Sequence, residues 1–154
     1  MLIEQEELKS LIPHRGKMLL LDRVTEYSPE GYARAEYKIS ESCLFYNAAA
    51  GGVPSWAGFE FMAQTISAYS GIWFLDKEIK PKIGFILSIP SMKMHIPVFK
   101  TGSLLDISVH ELDRTDLIYT FEGKIFLEGK TVMEGKLMVM EIYDEKQYNE
   151  FINQ

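Results

Sequence analysis

The chain has 154 residues, 47% of them hydrophobic, and a formal net charge of −6 at pH 7. This length predicts a single domain over residues 1–154 with a hydrophobic core of its own. The acidic balance argues against broad binding to nucleic acids or anionic membranes. A single cysteine, Cys43, excludes an intramolecular disulfide and a cysteine-based metal site. Because no apolar run reaches about 20 residues and the acidic start is unlike a signal peptide, we expect a cytoplasmic protein with no membrane span.

The first third of the chain predicts one short helix, two strands and a long loop. Residues 3–11 have the pattern of an amphipathic helix that Pro13 ends. Residues 18–21 form a short apolar run typical of a strand, and residues 32–39 alternate as a second strand does. Residues 40–52 then form a loop, and loops of this length inside a domain are often functional.

Residues 53–71 predict a long central helix with apolar residues on almost every side. Such a helix is expected to be buried. Pro54 suits the first helical position, and Ser55 is an alternative cap for the free backbone amides. Gly71, or the polar pair after Leu75, is expected to end it.

The central helix has one polar face. Trp56, Glu60, Gln64, Ser67 and Gly71 follow spacings of three and four residues, which places them on one side. Glu60 is the only charged residue of the helix, and a lone buried carboxylate costs free energy unless it is paired or used. We therefore expect a functional role for Glu60, with a structural buried hydrogen bond as the alternative.

The rest of the chain is dominated by strand patterns. Strands are predicted over residues 83–94, 104–112, 117–127 and 131–142, with Pro90 interrupting the first and a hairpin turn at 128–130. Residues 145–152 predict a terminal helix. One long antiparallel sheet around one buried helix is the simplest layered arrangement of these elements.

Four sequence blocks in order carry a family resemblance over residues 12–139. They are IPHRGKMLLLDRV, VPSWAGFEFMAQ, IPVFKTGSLLDISV and FLEGKTVMEGKLMV. They resemble the 3-hydroxyacyl-[acyl-carrier-protein] dehydratases, and most closely the dehydratase-like proteins of aryl polyene biosynthesis clusters. The resemblance implies an α+β hotdog fold, in which an antiparallel sheet of about five to six strands wraps around the long central helix.

The resemblance also implies a reaction. Dehydration of a 3-hydroxyacyl thioester needs a base for the C2 proton, an acid for the C3 hydroxyl and donors for the thioester oxygen. By position, Glu60 matches the family's acid and the Ser55 amide matches its carbonyl donor. The family implies no metal and no cofactor beyond the phosphopantetheine arm of the acyl carrier protein that brings the substrate.

The family's loop histidine, its usual base, is absent. The family spacing back from Glu60 leads to Tyr46, and no histidine lies between His14 and His95. Three explanations stay open. Another group serves as base, such as Glu60 itself or His14; a partner subunit supplies the residue; or the protein binds acyl thioesters without converting them.

The other candidate residues carry two interpretations each. Gln64 either holds Glu60 or binds water, or is a polar core contact. Tyr46 and Asn47 occupy the loop where the family keeps its base, and we expect ligand contacts from them. Trp56 is expected to form a pocket wall or core, and His14 is either a turn residue or a base.

The expected partners are the acyl carrier protein and a second hotdog subunit, in a homodimer or a heterodimer. Lys80, Lys82, Lys93 and Lys100 form either a basic patch for an acidic carrier or ordinary solvated strand ends. The function predicted from the sequence is a dehydratase-like protein of fatty acid or polyene synthesis. The alternatives are a non-catalytic acyl-binding or partner subunit and a hotdog acyl thioesterase, in which the helix acid would activate water.

Overall fold

A seven-stranded antiparallel sheet forms the body of the protein in this computed structural model, which describes residues 2–79, 81 and 83–153. The strands are β1 (Ile3–Glu4), β2 (Arg23–Ser28), β3 (Tyr32–Lys38), β4 (Gly52–Pro54), β5 (Ile83–Met94), β6 (Val98–Lys100), β7 (Leu104–Thr115), β8 (Ile118–Leu127) and β9 (Lys130–Ile142). The helices are α1 (Gln5–Leu8), α2 (Gly58–Trp73) and α3 (Glu145–Ile152). The large sheet has the order β1-β2-β3-β7-β8-β9-β5, and β4 pairs with β6 in a separate two-stranded sheet.

Alternation along the strands places the core on one face of the sheet. In β7, Leu105, Ile107 and Val109 are fully buried, as their predicted alternation requires. The β8–β9 hairpin confirms the predicted turn, because Glu128 and Gly129 both have positive φ angles, 50° and 78°. This pair of left-handed residues is typical of a type I′ turn, whose twist matches that of paired strands.

Helix α2 packs against this buried face, mainly over β3, β7 and β8. The Phe61 ring contacts Tyr37 of β3 and Phe99 of β6, with centroid distances of 5.3 and 6.4 Å. Gly123 of β8 permits the close approach of the helix, because a Cβ there would lie 2.6 Å from the Met62 sulfur. The prediction of a buried central helix is therefore confirmed.

The start and end of the central helix differ from the prediction. Gly52–Pro54 pair with β6 as β4, and Ser55–Ala57 form a 3₁₀ turn, so α2 begins only at Gly58. The N-cap residues are Pro54 for this turn and Ala57 for α2, and neither supplies a side-chain capping hydrogen bond. The helix continues past Gly71 to Trp73. Val53 and Pro54, which the sequence predicts as the start of the helix, therefore form part of a strand because they pair with β6.

The N-terminal segment also differs. Residues 18–21 are not a strand: Gly16–Met18 form a 3₁₀ turn and β2 begins at Arg23. The reason is that the Leu20 N–H donates to the side chain of Gln64 on α2 rather than to a neighbouring strand. The predicted first helix is limited to α1, because Ile3–Glu4 pair with β2.

The second half of the chain confirms most expectations. Strand β5 and helix α3 have the predicted bounds, and the pairing of β5 with β9 shifts register around Pro90, which has no N–H to donate to a neighbouring strand. Strand β7 continues to Thr115, beyond the predicted end at residue 112. The large sheet has seven strands rather than five or six, because the two-residue β1 adds an edge. Within the described ranges, no helix combines the length and apolar character that crossing a bilayer requires.

Candidate active site

A cavity of about 680 Å³ lies beside α2. Its walls are the N-terminal segment 9–15, one face of α2, and the adjacent stretches 84–86 of β5 and 139–141 of β9. The volume is within the range of small-molecule sites in proteins. The wall is mostly apolar, with side chains such as Ile66, Phe74 and Val139. It can therefore hold a hydrophobic chain.

Glu60 lies on this cavity and is held by Gln64. The Gln64 side chain is 1% exposed, and its amide nitrogen lies 3.4 Å from Glu60 Oε1. The same nitrogen donates to the Met18 carbonyl oxygen at 2.6 Å, and Gln64 Oε1 accepts from the Leu20 N–H at 2.7 Å. Gln64 thus attaches the N-terminal segment to α2 and orients the Glu60 carboxylate. Ser67, one turn further along, also lines the cavity.

The N-terminal wall is shaped by Arg15. One guanidinium nitrogen of Arg15 donates to the carbonyl oxygens of Ile12 and His14, at 2.8 and 2.7 Å, and the other donates to the carbonyl of Lys9. These bonds close residues 9–15 into a compact turn. The turn packs directly on α2, where a Cβ at Gly71 would lie 2.4 Å from the Leu11 carbonyl oxygen.

This turn brings His14 to the same cavity as Glu60. The Nδ1 atom of His14 is buried and has no hydrogen-bond partner among the described residues. Burial lowers the pKa of His14 below its usual 6.5; the Glu60 carboxylate raises it and the Arg15 guanidinium lowers it further. Burial is the largest of these effects, so the imidazole favours its neutral form.

A second carboxylate that lines the cavity is Glu141 of β9. Its Oε1 accepts from the Ser70 hydroxyl at 2.7 Å, and its Oε2 accepts from the Tyr143 hydroxyl at 3.1 Å. Both carboxylate oxygens therefore have donors. The cavity wall thus combines apolar side chains with ionisable ones, which include Glu60, His14 and Glu141.

The remaining predicted site residues lie outside this cavity wall. The Ser55 N–H, predicted to face a thioester, donates to the Pro97 carbonyl oxygen at 3.0 Å. Trp56 is 54% exposed and its ring contacts Phe45 edge-on at 5.8 Å. Tyr46 is half-buried against the core. The structure therefore brings together Glu60, Gln64 and His14, and leaves these three elsewhere.

Asn47 has a local role in the loop before β4. Its side-chain oxygen accepts from the Ala50 N–H at 3.1 Å, and its backbone bridges to Gly52. Asparagine often closes turns in this way. The side chain is exposed, so it shapes the loop rather than the cavity.

Arg15 and Glu141 are site residues that sequence reasoning missed. Arg15 follows His14 inside the first block of the family resemblance, IPHRGKMLLLDRV. Its place in that block could have indicated a structural role. Glu141 is a single acid at the end of an apolar strand, and its approach to α2 depends on sheet register. Of the predicted basic patch, Lys93 and Lys100 are exposed, and Lys80 and Lys82 lie outside the described residues. Among described residues, no group of three or more His, Cys, Asp or Glu side chains is arranged to hold a metal ion.

Comparisons with known proteins agree with this architecture. The family model of the ApeP-like proteins, described as ApeP dehydratase, matches residues 6–152. The 3-hydroxyacyl-[acyl-carrier-protein] dehydratase FabZ of Helicobacter pylori (strain G27) is 32% identical over 141 residues, which are 88% of each chain. A chain of the dehydratase heterocomplex ApeI:P from Xenorhabdus doucetiae superposes with a TM-score of 0.84 at 26% identity, covering 96% of this chain and 97% of that one.

A more distant likeness concerns the fold alone. A hypothetical thioesterase from Streptococcus pneumoniae TIGR4, solved with coenzyme A, has a TM-score of 0.60 at 14% identity, over 79% of this chain and 85% of that one. Together these likenesses confirm the hotdog fold expected from the sequence, as well as the resemblance to dehydratases with relatives of the aryl polyene type.

Proposed function

The chain belongs to the ApeP-like dehydratase family, and we therefore propose that it dehydrates 3-hydroxyacyl thioesters carried by an acyl carrier protein. The observation that supports this most is the placement of Glu60. Its carboxylate is oriented by Gln64 in a cavity whose wall is mostly apolar. The acyl chain would lie against the apolar side chains, and the reacting C2 and C3 atoms would lie beside Glu60.

Glu60 in its acid form donates a proton to the C3 hydroxyl. The C3–O bond then breaks, and the hydroxyl leaves as water. A base takes the proton from C2, and the electron pair of the C2–H bond becomes the second bond between C2 and C3, so the product is an enoyl thioester. A positioned acid that protonates a leaving hydroxyl typically accelerates a reaction about 10²–10⁴-fold. No metal or redox cofactor takes part in this proposal, and the phosphopantetheine belongs to the carrier.

The proposed assembly pairs this chain with a second hotdog subunit along β5. This strand lies at the end of the sheet order and has β9 as its neighbour. The side chains of Ile89 and Met94 on β5 are 38% and 47% exposed. An edge strand with apolar side chains is a natural pairing surface. The Xenorhabdus doucetiae relative is a heterocomplex, which favours a different hotdog chain as the partner.

Docking of the carrier protein is proposed near the N-terminal segment. Arg15 lines the cavity, and the exposed Lys17 follows it two residues later. Lys93 and Lys100 add exposed positive charge. Because carrier proteins are acidic, such local charges would steer the carrier within about 10 Å at ordinary salt. A cytoplasmic location, where the carrier is found, is part of the same proposal.

The test is product analysis with a 3-hydroxyacyl-carrier thioester. The protein is assayed alone and together with a second hotdog subunit with which it co-purifies. We expect loss of one water from the intact acyl-carrier, as read by mass spectrometry. Release of a free acid would identify a thioesterase instead. An unchanged substrate in both samples would refute the proposed activity and leave a non-catalytic acyl-binding or partner subunit.

A further inference from the structure

We infer that His14 is the base of this site and takes the C2 proton in place of the absent loop histidine. The inference rests on the proposed function and names the group that accepts the C2 proton in that reaction. It goes against the family spacing, which leads to Tyr46, a half-buried side chain that does not line the cavity with Glu60.

Geometry is the first support. His14 and Glu60 line the same cavity, one on the turn 9–15 and the other on α2. The turn is closed by Arg15 and packs on α2 at Gly71, and Gln64 binds the backbone of Met18 shortly after the turn. These contacts fix the position of the His14 backbone at the cavity.

The unpaired Nδ1 of His14 is the second support. This atom is buried and has no hydrogen-bond partner among the described residues. Leaving a buried polar atom unpaired is unfavourable, and such atoms in a folded protein call for an explanation. His14 also lines the cavity, so a bound substrate meets an imidazole whose Nδ1 makes no hydrogen bond within the described protein.

The charged surroundings are the third support. The ionisable side chains besides His14 that line this cavity among described residues are Lys9, Arg15, Glu60 and Glu141. Burial and Arg15 lower the pKa of His14, and Glu60 raises it only in its ionised form, not in the protonated form that the reaction uses. The net direction is downward, so His14 is neutral near pH 7 and can accept a proton.

The proton balance closes between the two residues. The His14 imidazole takes the proton from C2, the C2–H electron pair forms the double bond, and the C3–O bond breaks. Glu60 gives its proton to the departing oxygen, which leaves as water. The imidazolium then returns its proton to Glu60 or to solvent and the carboxylate is reprotonated, so each turnover ends in the starting protonation states.

The experiment compares His14→Asn with His110→Asn in the active protein, together with its partner subunit if one is needed. Asparagine places an amide atom near the Nδ1 position but does not accept a proton at these pH values. His110 is exposed on β7 and serves as the matched control. We expect His14→Asn to lower kcat about 100-fold or more with KM changed by less than about threefold, and His110→Asn to leave both constants unchanged.

The pH profile is the second readout. Burial lowers the pKa of His14 from the usual histidine value of 6.5. In the unmodified protein, kcat/KM should therefore fall on acidification at a pH below 6.5. This acid limb of the profile should vanish in His14→Asn. If the His14→Asn variant does not fold, the pH profile of the unmodified protein tests the assignment of His14 by itself. Unchanged activity in His14→Asn, or no acid limb in the unmodified protein, overturns the assignment of His14 and leaves the proposed dehydration standing. Absence of turnover in the unmodified protein overturns both.

Discussion

Gly71 controls how closely the cavity wall lies on α2, and Gly71→Ala tests this contact. A Cβ at this position would lie 2.4 Å from the carbonyl oxygen of Leu11 and 3.0 Å from its carbonyl carbon. These are backbone atoms, so the conflict is not relieved by rotating a side chain. To reach ordinary contact, the N-terminal segment must move away from the helix by about 1 Å.

The expected cost combines two opposing effects. Forcing a methyl group into a packed contact costs about 1–3 kcal/mol, whereas replacing glycine by alanine in a helix returns about 1 kcal/mol. We therefore expect the free energy of unfolding to fall by up to about 2 kcal/mol, which corresponds to a Tm lower by up to about 4–8 °C for a chain of this size. Activity should suffer more, because the displaced segment contains His14, and a shift of about 1 Å in a reacting group costs about 100-fold.

The assay is thermal unfolding by circular dichroism beside turnover of the acyl-carrier substrate. Gly129→Ala is the control, since its φ of 78° is unfavourable for alanine and it lies in the β8–β9 turn, outside the cavity wall. Gly129→Ala should lower Tm without the large loss of kcat. A Gly71→Ala protein with unchanged Tm and full turnover would refute the argument that this contact sets the position of the cavity wall.

Two further predictions concern buried polar side chains. Gln64→Leu removes the partner of the Leu20 N–H and the Met18 carbonyl, so the free energy of unfolding should fall by about 1–3 kcal/mol in guanidinium titrations; an unchanged midpoint would contradict the role of Gln64 as a clamp. Burial raises the pKa of Tyr69 to about 12, above the unfolded value of about 10. Stability should therefore decline as pH rises from about 10 to 12, because the unfolded state loses the proton first. In Tyr69→Phe this decline, followed by Tm, should be smaller, and an identical decline would contradict the assignment.

The fold could be predicted largely because its signals are periodic and local. Strand alternation in β7, the β8–β9 turn and the apolar central helix all follow from neighbouring residues. The errors have one physical cause, which is competition from distant partners. Gly52–Pro54 were predicted near the start of the central helix, but they form a strand because they pair with β6. Residues 18–21 were predicted as a strand, but Gln64, far along the chain, binds their backbone instead.

The candidate site was predicted only where one helix face determines it. Glu60 and Gln64 lie one turn apart, and their contact follows from helical spacing. His14 reaches the cavity through the Arg15 turn, whose carbonyl contacts no periodic pattern reveals. Glu141 meets Ser70 through the register of β9 and the packing of α2. Contacts between separate helices and strands depend on tertiary packing, which the local patterns of a single sequence do not predict.

The most direct test of the proposed function is turnover by Glu60→Gln beside Glu26→Gln. Glutamine keeps the size and hydrogen bonding of Glu60 but has no acidic proton, and Glu26 is an exposed glutamate on β2. The measurement is the rate of water loss from a 3-hydroxyacyl-carrier thioester, with the partner subunit present where activity requires it. We expect Glu60→Gln to lose about 100-fold or more in kcat while Glu26→Gln retains full activity. Equal turnover by the two variants would contradict Glu60 as the acid.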